Sequence, residues 1–238
     1  MNKNTQNKEN AMLVVDQRRV ASPEDKEALG KDSLIGKCPK CGEFINNLWN
    51  EKYCGDCGQK LKWEQERKIP LGLKVGDKFD LAGTNWTILD IKEEGYLCLA
   101  DSIGDKQFDT ESNNWISSQL REYLNTEFIE NIADEIGEEN IAKFGRDLTS
   151  LDGQKEYGTC LDSVSLLTVD EYREYRQFIP NTDDWWWLAS PWSTPCNNDE
   201  TWEAVVSPSG YFDDGSCSYY CGVRPVCILK SNIFESEE

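Results

Sequence analysis

The chain has 238 residues, 38% of them apolar and 29% charged, with a formal charge of −19 and no histidine. A Ser-His-Asp or Cys-His catalytic pair is therefore excluded within it, no catalytic residue is assigned, and a zinc site has to be built from cysteines or carboxylates. No apolar run approaches the roughly 18 residues a bilayer span requires, and the first ten residues are too polar for a secretory signal, so a cytoplasmic protein without a membrane partner is expected.

Residues 1–36 mix charge with an apolar patch from Met12 to Val15, and Ser22-Pro23-Glu24 offers a helical start with Pro at its first position. A loosely ordered arm is expected there. Residues 37–63 hold Cys38-Pro-Lys-Cys41-Gly42 and Cys54-Gly-Asp-Cys57-Gly58, two turns whose paired cysteines lie two residues apart. Such spacing brings four thiolates around one tetrahedral ion, so Cys38, Cys41, Cys54 and Cys57 are expected to bind one structural Zn²⁺ in a ribbon, which is too short to fold on apolar burial alone. Four thiolates leave no open position for chemistry. Lys37, Lys40, Lys52, Lys60 and Lys62 give the ribbon a thin basic patch, which leaves nucleic acid open as its partner. Residues 64–70 form a charged linker.

The main domain is expected over residues 71–232, followed by an acidic tail at 233–238. Residues 70–238 carry twelve basic against thirty-three acidic side chains, and that surface repels phosphate backbones. Strands are predicted at Lys78 to Ala82, Asn85 to Ile91 and Tyr96 to Ala100. Ile116, Leu120, Leu124, Phe128 and Ile132 recur every four residues, predicting one helix from Asn113 to Ile136 capped by Ser112 or Asn113. Val164 to Leu167 is a predicted strand, and Thr168-Val-Asp-Glu171 a capping box opening a second helix. The last fifty residues, aromatic and turn-rich, predict strands at Trp185 to Ala189, Glu203 to Val206 and Gly222 to Leu229, and no helix. The fold class read from these elements is α+β.

Alternation places Trp185, Trp187 and Ala189 on one strand face and Trp186 and Leu188 on the other, so part of the tryptophan run has to be buried. Arg224 is expected to make a buried contact to a carboxylate or to backbone carbonyls, with Pro225 limiting strand pairing after it. Trp86-Thr-Ile-Leu89, Leu120-Arg-Glu-Tyr-Leu-Asn125, Trp185-Trp186-Trp187-Leu-Ala-Ser190-Pro191 and Gly222-Val-Arg224-Pro225 occur in the order of a family that this chain resembles, catalogued as domain of unknown function 6273, of Firmicutes and their phages. The resemblance spans about residues 71–230. The chain departs from that family at Ala189 and Trp192, where the family usually has Arg and Gly. The resemblance implies a C-type-lectin-like fold, shared with formylglycine-generating enzymes and the variable proteins of diversity-generating retroelements. The ribbon likewise resembles short zinc modules at the front of small phage proteins.

Two stretches have the Tyr, Ser, Asn and Gly chemistry of adaptable recognition surfaces. One loop holds Trp192, Asn197, Asn198 and Asp199; the other holds Tyr211, Asp213, Asp214, Ser218, Tyr219 and Tyr220. In lectin-like variable proteins the corresponding C-terminal region displays the binding residues, so the leading expectation is a non-enzymatic protein that binds a protein or glycan. Calcium at Asp199, Asp213 and Asp214 is an alternative without EF-hand spacing. A second function class is a copper oxidoreductase using Cys217 and Cys221, since formylglycine-generating enzymes use a similar close pair. A third is an adaptor holding nucleic acid through the ribbon or a basic protein through the acidic domain. Cys98 and Cys227 read as small core residues, and a reducing compartment disfavours a Cys196–Cys217 or Cys217–Cys221 disulfide.

Overall fold

The structure, a computed structural model, describes residues 12–19, 34–46, 53–62 and 69–234. The expected helical turn at Ser22-Pro23-Glu24, Lys52, and the acidic residues Glu235 to Glu238 lie outside the described residues. The chain divides into two units, residues 1–66 and 67–238.

In the first unit, β1 (Met12–Leu13) pairs in parallel with β5 (Leu61–Lys62), while β2 (Val15–Arg19), β3 (Leu34–Lys37) and β4 (Phe44–Asn46) form an antiparallel sheet in that order. Stretches expected to be a loose arm are therefore strands of the cysteine module. The reason is Val14, 3% exposed and clustered with Ile45, Leu61, Cys38 and Cys54, which supplies apolar surface the cysteine turns lack. Gly36 permits the approach: a Cβ there would come within 2.5 Å of the Val14 side chain.

The second unit is α+β, with sheets that are mostly antiparallel. One sheet contains β6 (Lys78–Leu81), β7 (Thr84–Lys92), β8 (Gly95–Ala100), β10 (Ile141–Ala142), β13 (Val164–Ser165) and β18 (Val226–Leu229). Its order is β10-β18-β8-β7-β6, with β13 also pairing β18. The other runs β16 (Phe212–Ser216), β15 (Trp202–Val206), β14 (Trp186–Pro191), β17 (Tyr220–Gly222), β9 (Asp105–Gln107). A small hairpin joins β11 (Phe144–Asp147) to β12 (Thr159–Asp162).

Strands β8, β14 and β18 are buried along their whole length because each lies between two cores. Trp187, Ala189, Cys98 and Cys227 face one core, and Trp186, Leu188, Leu97 and Val226 face the other, as strand alternation requires. The stretch expected as one strand from Gly222 to Leu229 divides at Val223-Arg224-Pro225, where the chain leaves β17 in one sheet and enters β18 in the other. Pro225 has no N–H for a ladder, and its carbonyl instead accepts from Ala100 N–H at 2.8 Å. The core also extends beyond the expected boundaries. Ile69 is 4% exposed, and Phe234, assigned to the tail, is fully buried and stacked on Tyr96 with ring centroids 4.3 Å apart.

The helical run begins later than expected and is not uniform. Trp115–Ser117 is a single 3₁₀ turn, Ser118 is the cap, accepting from Arg121 N–H at 3.1 Å, and α1 (Gln119–Tyr123) passes through a π turn at Leu124–Phe128 into α2 (Ile129–Ile136). The apolar stripe explains the π turn. Four residues advance an α-helix by one turn plus about 40°, so a strict four-residue repeat drifts off the core, and a wider i→i+5 turn corrects the drift. Asn125 fixes that turn, donating to Val164 O at 2.7 Å and accepting from Ser163 and Val164 N–H at 3.1 Å. Asn113, expected as a cap, is instead a buried bridge, donating to Ser193 O and Trp202 O and accepting from the Tyr157 hydroxyl.

The short helix α3 (Val169–Tyr175) opens on the capping box expected at Thr168 and Glu171. The Glu171 carboxylate also pairs with Arg146, which is 2% exposed and donates from Nη1 at 2.7 Å. Burial pushes the Glu171 carboxyl up, and the Arg146 hydrogen bonds and charge more than offset it, leaving it below the usual carboxylate value. Among the described residues no helix is long and apolar enough to cross a membrane.

Replacing Arg146→Met leaves the half-buried Glu171 carboxylate with only the Thr168 N–H as partner and is expected to cost about 2–3 kcal/mol in denaturant unfolding. Because the folded pKa of Glu171 is depressed, the pair's contribution is full above the unfolded carboxyl pKa and fades as pH falls through the folded one. The wild-type advantage over the Arg146→Met variant should accordingly shrink in acid; a constant gap would mean that Glu171 is not the partner that matters.

Candidate functional site

Two places gather the chemistry that the sequence singled out. In the first unit the Sγ atoms of Cys38, Cys41, Cys54 and Cys57 all lie within 4.8 Å of one another, with Cys38–Cys57 at 3.6 Å and Cys41–Cys54 at 3.7 Å. A tetrahedral Zn–S₄ centre with bonds of about 2.3 Å has edges of about 3.8 Å, so the spacing fits a single ion. The two turns are built alike. Gly42 and Gly58 have φ of +76° and +68°, their N–H groups donate to Cys38 O and Cys54 O at 2.9 Å, and the Cys38 and Cys54 N–H groups donate to Glu43 O and Gln59 O at 2.8 Å. Each turn folds back after its second cysteine, which needs the left-handed conformation that glycine adopts without strain.

Burial raises the Cys38 thiol, and the N–H groups of Cys41 and Lys40, with the neighbouring thiols, outweigh it and bring it down to about 7. At Cys41 and Cys57 the Glu43 and Gln59 N–H groups are outweighed by burial and the neighbouring thiols, which push Cys41 up to about 12 and Cys57 upward. Donors aimed at sulfur favour the thiolate a metal requires. No disulfide joins these cysteines, and they can hold one metal ion. Among the described residues this is the only cluster of three or more cysteine or carboxylate ligands. Asp199, Asp213 and Asp214 therefore do not converge as a calcium site would require. Lys37, Lys40 and Lys60 are exposed on the module.

The second place is the far end of the five-stranded sheet. The segment expected as a loop from Tyr211 to Tyr220 is chiefly edge strand β16, turning through Cys217 to Tyr219 into β17. Val205 lies opposite both Trp187 and Asp213, so Trp187, Val205 and Asp213 share one face, and Gly215 follows Asp213 on it. A cavity of about 360 Å³ opens there, floored by Val205 and Gly215 and walled by Trp185, Tyr219, Tyr220 and Cys221. Asp105, Asp184, Asp213 and Asp214 complete its lining. Tyr219 and Tyr220 are 63% and 69% exposed, and Tyr211 packs edge-on against Trp185 with centroids 5.7 Å apart. Ser218 stands behind the wall, its carbonyl accepting from Gln107 and its hydroxyl 3.0 Å from that of Ser216.

The other expected loop lines a different cavity. Trp192, Asn197 and Asp199 meet Leu151, Asp152 and Ser193 around about 440 Å³, while Asn198 is exposed and left-handed at φ 54°. Asp152 braces this loop, accepting from Ser193 Oγ at 2.7 Å and Asn197 Nδ2 at 2.8 Å. The ten residues expected to bind together are thus divided between two sites. A larger groove of about 810 Å³ follows the helical run past Arg121, Glu130 and Leu161 and carries charges of both signs.

Several signature residues hydrogen-bond or pack within the frame, while Trp185 lines the cavity. Ser190 Oγ accepts from Val169 N–H at the start of α3, Pro191 O accepts from Leu151 N–H, and Gly222 N–H donates to Trp185 O. Arg224, 1% exposed, lies 5.0 Å from the Trp186 ring and donates to Ala100 O at 3.2 Å. Cys217 is 1% exposed, its thiol raised to about 11 by burial and then by Asp109 and Glu203; burial and Asp105 raise Cys221 to about 11.

Asp105 and Asp184 were missed by the sequence reading. Asp184 adjoins the tryptophan run and could have been included, whereas Asp105 reaches the cavity through pairing of β9 with β17, a contact that no local pattern announces. Glu203 was missed too. It is fully buried, and neither carboxyl oxygen has a hydrogen-bond partner. Comparison with protein-family models, curated proteins and solved structures returned no match to this chain.

Burial holds the Glu203 carboxyl well above its usual pKa, with only the Ala204 N–H acting the other way. A raised folded pKa means that its contribution is complete below the unfolded value and lost as pH rises through the folded one. Glu203→Gln is expected to match wild-type stability at about pH 4 and below, and to gain on it by up to about 1.4 kcal/mol per pH unit above that. Parallel pH profiles would show that Glu203 is not buried as a neutral acid.

Proposed function

We propose that the protein is a non-enzymatic recognition protein whose second unit is a C-type-lectin-like domain of the family catalogued as domain of unknown function 6273, and whose first unit is held by one structural Zn²⁺. The observation that carries this reading is the cavity at the end of the five-stranded sheet. Exposed tyrosines and a tryptophan stand around an open hollow, and no histidine exists to serve as a base. Rigid rings beside small polar groups suit capture of a protein or glycan at little entropic cost. The family signature supports the fold assignment through what its residues do: Trp86, Arg121, Asn125, Trp187 and Arg224 all hydrogen-bond to the frame of the unit. A copper site at Cys217 and Cys221 has less support, since both thiols are pushed up and Cys217 is enclosed.

Zinc is the ion that best suits four thiolates at tetrahedral spacing. Stripping it with a chelator should remove the β-structure of the first unit while the second melts at an unchanged temperature. One cooperative transition that moves as a whole would contradict a local role for the metal.

Replacing Tyr211, Tyr219 and Tyr220 together by alanine should leave the melting temperature within a few degrees of wild type, since all three are exposed. The same change should abolish binding on arrays of immobilised peptides and glycans. Retained binding would remove the cavity from the proposed function.

A further inference from the structure

Which ligand the cavity takes can be read from its charge and shape. Asp105, Asp184 and Asp213 line it, Asp213 on the same face as Val205, and no basic side chain does. The lysine beside Asp105 in sequence, Lys106, is turned away, with its ammonium 3.8 Å from the centre of the Tyr123 ring. A neutral sugar has hydroxyls to donate to these carboxylates but brings them no opposite charge.

The ring walls narrow the choice of cation. A quaternary ammonium would satisfy the rings but has no N–H to offer the carboxylates. A lysine ammonium has donors but no flat face. A guanidinium is planar, stacks on aromatic rings and offers its donors in the plane, toward a ring of carboxylates. Gly215 lets its strand pack closely on the floor, since a Cβ there would come within 3.2 Å of both Trp187 and Val205. At about 360 Å³ the cavity exceeds a guanidinium head and admits the aliphatic stem as well.

Resting on the recognition function proposed above, we infer that the cavity of Trp185, Tyr219, Tyr220, Asp184 and Asp213 binds an arginine side chain presented by a partner polypeptide.

The probe is a short peptide with one central arginine, compared with otherwise identical peptides carrying lysine or citrulline, with free arginine, and with neutral oligosaccharides. Binding is measured by calorimetry at about 0.15 M salt, where diffuse attraction to the acidic surface is screened. The arginine peptide should bind at least about tenfold more tightly than the lysine peptide and free arginine, with no measurable citrulline binding. Asp184→Asn with Asp213→Asn, and separately Tyr220→Ala, should each weaken it about tenfold or more. Glu130→Gln with Glu138→Gln, which removes the same charge from the helical groove, should not. Equal loss in that control, or equal binding of citrulline, would overturn the inference, and free arginine binding as well as the peptide would overturn the polypeptide source. If an oligosaccharide binds in a Tyr220-dependent way and the arginine peptide does not, the recognition function stands and this inference falls. If neither binds, this inference falls, and the array measurement decides the recognition function. Unchanged melting temperatures in the variants keep these outcomes separate from misfolding.

Discussion

The second unit depends on one buried cation. Arg224 lies in the short crossing that carries the chain from β17 in one sheet to β18 in the other, and its guanidinium reaches Ala100 O, Pro180 O at 3.4 Å, Asp101 at 3.8 Å and the Trp186 face. Burial lowers its pKa to about 10, which Asp101 and Tyr172 oppose, so the charge persists at neutral pH. A charge left in the interior without these partners would cost several kcal/mol, so the crossing has little freedom to shift. That constraint reaches the surface. β17 begins at Tyr220, and its pairing with β9 brings Asp105 to the cavity. The cavity inherits its geometry from a residue that does not line it.

Much of this frame was legible in the sequence, where local rules and tertiary packing agree. The capping box at Thr168 and Glu171, the split of Trp186 from Trp187 across the sheet, and the buried contact of Arg224 follow from hydrogen-bond bookkeeping and strand alternation. The helix failed where a local rule met a packing requirement. Its four-residue stripe holds from Leu120 to Ile132, while Ile116 is exposed and Trp115 is buried beside it; holding that stripe on the core demanded a π turn, and Asn113 was drawn into a distant bridge rather than a cap. The two loops failed differently. Their composition marked recognition chemistry, yet composition does not say which strand edge a residue occupies, and the two sets face separate cavities.

The cysteine module shows the opposite balance. Its spacing alone specified the four ligands, because two identical turns leave little choice about where the sulfurs point. What spacing did not specify was the apolar support, supplied by Val14 from a stretch that reads as a loosely ordered arm. A metal can organise the turns, but a sheet beside them still needs a residue to cover.

The same residue types meet opposite fates in the second unit, and the difference defines its chemistry. Glu203 faces the core without a partner and escapes the cost of burial by holding its proton, so the formal charge of the chain overstates its negative charge by that residue. Asp105 and Asp184, on the same sheet and just before the tryptophan run, are exposed and face water. The acidity that first reads as mere solubility is, at this one place, gathered beside exposed aromatic rings around a cavity.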